Sequence, residues 1–117
     1  MPLRVNNVTR GRTLALRAAR AESFWPRLVG LMGRAGLEPG EGLHILPCNG
    51  IHSFFMRFPF DALFLDRDLK VVHCLEAMPP WRASSIYRDA HSVVELPAGT
   101  VAATGTRPGD LLAFDAG

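Results

Sequence analysis

Cysteine is scarce in this chain, lysine and tyrosine occur once each, and no apolar run is long. Cys48 and Cys74 are too few for a disulfide framework, so two small thiols in a reducing compartment are expected, a single Cys48–Cys74 bridge being the lesser alternative. The apolar stretches fall far short of the roughly 18 residues of a membrane span. The opening MPLRVNNVTRGRTLALRAAR has neither a continuous apolar core nor a small-residue cleavage site. No membrane span and a cytoplasmic location are therefore expected. No GxGxxG or Walker A loop is present, which argues against dinucleotide or nucleotide-phosphate chemistry, and no cofactor is expected.

Basic clustering is also missing. Arg4, Arg10, Arg12, Arg17, Arg20, Arg27 and Arg34 are dispersed, without the aromatic interleaving of a nucleic-acid surface, so a solvated basic face is expected rather than a nucleic-acid partner. The first half is nevertheless basic, with eight basic against three acidic residues over 1–57, and the second half is acidic, with five against eight.

What remains is an ordinary globular composition, 48% hydrophobic and 21% charged over 117 residues. Such a length suits one domain, 1–117, burying roughly two-thirds of its unfolded surface. Leu3–Asn6 and Thr13–Arg17 alternate and flank a turn containing Gly11, which predicts a hairpin. Phe24, Leu28, Leu31 and Met32 form one helical stripe after Ser23, predicting a short helix over 24–34. Leu43–Leu46, Ser53–Phe58, Asp61–Leu65, Lys70–Leu75, His91–Leu96 and Leu111–Phe114 read as strands. In Asp61–Leu65 both faces are apolar, which predicts a central strand covered on both sides. The Asp66–Leu69 turn leaves its register open: Asp61 falls opposite Cys74 or, with a bulged loop, opposite Leu75. Pro97–Gly105 predicts a second short helical segment near 97–105. The fold class is thus mainly β (α+β), a small β-sandwich or partly closed barrel, mostly antiparallel.

Candidate chemistry concentrates in Cys48–Asp66, CNGIHSFFMRFPFDALFLD, where polar groups interrupt apolar runs. Metal binding is disfavoured: Cys48 and His52 would lie about 13 Å apart along a strand, and His73 and Cys74 would point apart. His52 and Ser53 also diverge on a strand, so no nucleophile dyad follows. Asp61, heading an apolar strand, must be paired or reach solvent, and an ion pair with Arg57 at the Pro59 corner is the first expectation. The second is a ligand-binding surface of Asn49, His52, Arg57 and Asp61. It would make the chain a non-enzymatic binding or accessory module for an unknown ligand or protein partner, with the 78–90 loop as a rim. The alternative is a small enzyme, such as a hydrolase, moving protons between His52 and Asp61.

The segments RLVGLMGR (Arg27–Arg34), IHSFFMRFPFDALFLD (Ile51–Asp66) and VELPAGTVAATGTRPGD (Val94–Asp110) together resemble the domain-of-unknown-function-192 family. The resemblance implies a small, predominantly β domain with helices at its edge, and no particular activity. Its characteristic positions correspond here to His52, Met56, Arg57, Pro59, Asp61, Phe64 and Asp66. The chain departs from the pattern at Leu69, where the turn often has glycine. If the turn needs a left-handed residue there, Leu69 carries a strain of about 1 kcal/mol, or else the loop is rearranged. Some relatives look secreted or membrane-tethered.

Overall fold

Alternation along LRVNN and RTLALRAARA builds the first hairpin, in which β1 (Leu3–Asn7) pairs antiparallel with β2 (Arg12–Ala21) across a turn where Gly11 takes φ 65°. The structure is a computed structural model that describes residues 3–22, 36–54 and 56–116. The helix expected over 24–34 lies outside these residues. β2 continues past the expected Arg17 because its far half is the parallel partner of β3 (Glu41–Ile45), from Arg17 opposite Glu41 to Ala21 opposite Ile45.

The remaining elements are β4 (Phe60–Leu65), β5 (Val71–Met78), β6 (Ser92–Pro97), the single described helix α1 (Thr100–Thr104) and β7 (Leu112–Ala116). They form a seven-stranded sheet in the order β5-β4-β6-β3-β2-β1-β7, antiparallel except at β2–β3. The sheet curls into a half-barrel. Its outer strands approach at one end, where the Val71 N–H donates to the Asp110 carbonyl (2.8 Å) and the Leu112 N–H to the Leu69 carbonyl (2.9 Å). The fold is mainly β, and of the two architectures the sequence left open, the partly closed barrel is found.

β4 explains why the sheet can carry two cores. All six of its residues are buried. Leu63 and Leu65 enter one cluster with Val5, Leu14, Val94 and Leu96, whereas Phe60, Ala62 and Phe64 enter a second with Met56, Met78 and Val93. Each buried large side chain contributes about 1.5–3 kcal/mol, so a doubly covered strand anchors the domain.

Three local expectations are corrected. The described residues of the expected strand Ser53–Phe58 form a loop instead: the Met56 N–H closes a turn onto the Ser53 carbonyl (3.1 Å). Pro59, which has no N–H to donate, then breaks the ladder before β4. The β4–β5 register is neither of those expected. Leu63 faces Cys74 and Ala62 faces Leu75, with shifts on both sides that leave Asp61 at an irregularity between Phe60 opposite Met78 and Ala62 opposite Leu75. The cause at the turn is Asp66, whose Oδ1 accepts the N–H groups of Asp68 (2.9 Å) and Lys70 (3.0 Å) and widens the connection. Leu69 does take φ 67°, the left-handed conformation. Finally, α1 starts at Thr100 because Pro97 still pairs with Phe60 in the sheet and Gly99 (φ 95°) turns the chain; Gly105 (φ 68°) stops it.

Candidate functional site

The Cys48–Met56 and Pro79–His91 loops, both outside the regular sheet, are stitched together along their length. The Cys48 N–H donates to the His91 carbonyl (2.8 Å), Tyr87 to Asn49 (2.8 Å), Ser84 to Ile51 (2.8 Å), Ser53 to Arg82 (2.7 Å) and Trp81 to Ser53 (2.9 Å). Buried Ser53 is the hub: its hydroxyl accepts from the Arg82 N–H (2.8 Å) and donates to the Pro79 carbonyl (2.5 Å). The loops thus form a fixed platform, since ordering so many backbone groups removes the freedom that surface loops normally keep.

The outer side of the platform carries aromatic rings. His52 stacks on Phe54 with centroids 5.0 Å apart, and Phe54 stacks on Trp81 at 6.0 Å. Phe54 is 41% exposed and Trp81 56%. His52 Nδ1 accepts the Phe54 N–H (3.2 Å), which makes Nε2 the ring's donor nitrogen. Trp81 sits at φ 63°, a left-handed conformation that costs a non-glycine residue about 1–2 kcal/mol and gathers at functional positions. Arg57 and Arg82 are exposed beside these loops, and so is Ile86.

Asn49 lies elsewhere on the platform, in an open cleft of about 370 Å³ lined by Pro47, Cys48, Asn49, Arg67, Arg88 and His91. A second cleft of about 360 Å³ runs between the end of β5 and the 79–87 segment, where Leu75, Met78, Pro79 and Tyr87 give it apolar walls. Neither cleft includes His52, Arg57 or Asp61.

Asp61 stands apart from the other three candidates. It is fully buried in the sheet, and its Oδ1 accepts the Ala77 N–H (2.8 Å) while its Oδ2 accepts the Val101 N–H (2.8 Å). The second bond satisfies a first-turn donor of α1, whose own N-cap is Gly99 and supplies no side-chain bond. The expected ion pair with Arg57 is therefore replaced by backbone donors; Asp61 makes no ion pair among the described residues, and Arg57 points to an exposed position.

Two buried titratable groups escaped the sequence reading. Glu95 on β6, 4% exposed and flanked by Leu43 and Ala62 on the neighbouring strands, is pushed up to about 8 by burial. His44 on β3, 2% exposed and stacked on Phe114 at 4.3 Å, is lowered to about 4 by burial, with Arg20 and His91 adding to the effect. Neither imidazole nitrogen has a hydrogen-bond partner among the described residues. The only signal in the sequence was a single polar residue inside each of the apolar runs LHIL and VVEL.

The other reactive groups are quiet. Cys48 and Cys74 form no disulfide, the Cys48 thiol meets the Gly50 carbonyl (3.1 Å), and burial, followed by Glu76, Asp110 and Asp61, raises Cys74 to about 11, which disfavours the nucleophilic thiolate. His73 Nε2 meets Asp89 at 3.1 Å and its ring stacks on Tyr87 at 3.9 Å. No group of three His, Cys, Asp or Glu residues converges among the described residues. No helix there is long and apolar enough to cross a membrane.

The sequence profile of the DUF192 family, described as uncharacterized, matches residues 5–114. A UPF0127 protein of Pyrococcus furiosus is 33% identical over 115 residues, covering 93% of this chain and 96% of that protein. Among solved structures, a protein of unknown function from Novosphingobium aromaticivorans shares the fold, with TM-score 0.83, 24% identity, and coverage of 97% of this chain and 84% of that one. A candidate transcription regulator from Sinorhizobium meliloti 1021 superposes with TM-score 0.79 at 29% identity, covering 96% of this chain and 91% of that one. The chain belongs to the DUF192 family, whose members carry no assigned biochemical function.

Proposed function

We propose that this member of the DUF192 family is a single-domain, non-enzymatic binding module whose recognition face is the two-loop platform. The observation that carries the reading is the His52–Phe54–Trp81 stack, with Phe54 and Trp81 exposed, on a hydrogen-bonded backbone. Large rigid rings held in one geometry bind at low entropic cost, the property that enriches aromatic residues in binding hot spots. The flanking Arg57 and Arg82 suit a protein segment that presents an apolar anchor beside acidic groups. His52 and Arg57 belong to this surface, whereas Asn49 lies in the separate cleft with Arg67 and Arg88 and Asp61 is read as part of the scaffold beneath. A proton-transfer enzyme that uses His52 with Asp61 gains little support, because both Asp61 oxygens are engaged by backbone donors. Two cysteines without a disulfide fit a reducing, cytoplasmic setting.

Panning a displayed peptide library against the wild-type protein tests the reading. Enriched acidic-apolar peptides are expected to lose at least about tenfold in affinity for Phe54→Ala and for Trp81→Ala, the loss that marks a hot-spot anchor. Leu16→Ser, at an exposed site on β2, should leave them unchanged. Peptides that bind all three variants alike contradict the proposal.

A nucleic-acid reading draws on the Sinorhizobium meliloti protein's description and on exposed Arg4, Arg12, Arg17 and Arg20 of the first hairpin. It predicts duplex DNA binding that falls steeply with salt and is lost on Arg12→Ala and Arg17→Ala. Binding without salt dependence, or none, removes it.

A further inference from the structure

The open cleft around Asn49 has a chemistry of its own. Its lining includes two arginines, Arg67 and Arg88, together with His91 and Asn49, and no acidic residue. Neither arginine forms an ion pair or a side-chain hydrogen bond among the described residues. The nearest carboxylates in sequence are occupied in part: Asp66 caps its own turn, and Asp89 pairs with His73. Asp68, the remaining one, is not part of the lining.

The parts of the cleft arrive from three separate segments. Arg67 comes from the β4–β5 turn, Asn49 from the first platform loop, and Arg88 and His91 from the second. Backbone bonds fix their mutual positions. The Cys48 N–H binds the His91 carbonyl (2.8 Å), the Tyr87 N–H binds the Asn49 carbonyl (2.8 Å), and the His91 N–H binds the Leu65 carbonyl (2.7 Å), one residue before the turn that carries Arg67. Like charges brought together without a counter-charge repel one another, so an arrangement of this kind is stabilised by an anion in the space between them.

We propose that this cleft binds a phosphate monoester. Two guanidinium groups match the double charge of a phosphate better than the single charge of a carboxylate, and each offers the paired donors that phosphate oxygens accept bidentately. The Asn49 amide and the His91 ring add further hydrogen-bonding groups at the rim. The site is distinct from the aromatic stack, shares no residue with it, and stands or falls independently of the peptide-binding reading.

Titration calorimetry with inorganic phosphate, and in parallel with acetate, on the full chain tests the site. Saturable phosphate binding is expected, weakened at least about tenfold by Arg67→Ala and by Arg88→Ala, as for loss of a charge-assisted pair. Arg107→Ala, at an exposed site outside the cleft, should change nothing. Arg88→Lys keeps the charge and removes the paired donors, so it should weaken phosphate binding while preserving the fold. Phosphate affinity indifferent to both arginines, or no phosphate binding at all, overturns the proposal, and so does acetate binding as tightly as phosphate.

Discussion

The Cys48–Asp66 stretch divides at Pro59 into two regions with opposite treatment of their polar groups. Before Pro59 the backbone is tied to a second loop, and Asn49, Phe54 and Arg57 are left at the surface with half-buried His52. After Pro59 every residue of β4 is buried, and the single carboxylate, Asp61, is consumed by two N–H donors. The difference shows how one apolar-looking segment serves two purposes. Where the chain has no ladder partner, side chains such as Phe54 and Arg57 can stay at the surface; where it is central, any polar group must be satisfied internally or held uncharged.

The same division predicts where substitutions act, and the strand side should give the largest changes in stability. Glu95, beside Ala62, is raised to about 8 from an ordinary value of 4.5. A raised carboxyl contributes its full stability below pH 4.5 and loses it as the pH climbs toward 8, a loss of roughly 3 to 5 kcal/mol. Glu95→Gln should flatten that decline in urea unfolding measured across the interval; an unchanged slope would mean that Glu95 has a partner charge. Asp61→Ala leaves the Ala77 and Val101 N–H groups without acceptors, and a loss of about 3 kcal/mol in the urea midpoint analysis is expected. A loss under about 1 kcal/mol would show that the two donors are readily resatisfied.

His44 carries the opposite sign. Its value is lowered to about 4 from 6.5, so its stabilising neutral form is fully present above 6.5 and stability is lost as the pH falls toward 4. His44→Leu should therefore raise stability by about 2 kcal/mol near about pH 5 and less at neutrality. Thermal melts at the two pH values check it, and equal gains at both would contradict burial of a neutral ring. The smallest effects belong to the platform: Phe54→Ala and Trp81→Ala should change stability by about 0.5 kcal/mol or less, because exposed side chains support little of the fold. A larger loss would assign the stack to the core.

How far the sequence reveals these two regions follows from what each depends on. The first hairpin and β4 were legible because alternation and a doubly apolar run report burial directly. Ser53–Phe58 was misread because it has the same apolar content as a strand, while its actual partner, the 79–91 loop, contributes through backbone groups that leave no pattern in residue identity. Asp61 was recognised as needing a partner, but the nearest charge in sequence, Arg57, was not the nearest donor in space. Its acceptors' partners, the Ala77 and Val101 N–H groups, depend on a β5 irregularity and on the start of α1. His44 and Glu95 were passed over because a lone polar residue in a short strand looks solvent-facing until both sheet faces are known to be covered.

If recognition belongs to the platform and stability to β4, the two properties should separate in one variant. One paired measurement tests it most directly: peptide affinity and urea midpoint for the double variant Phe54→Ala/Trp81→Ala, set beside wild type. The account predicts affinity lost by more than about tenfold with the midpoint almost unmoved. Retained affinity, or a midpoint that falls along with it, would contradict the division of labour at Pro59.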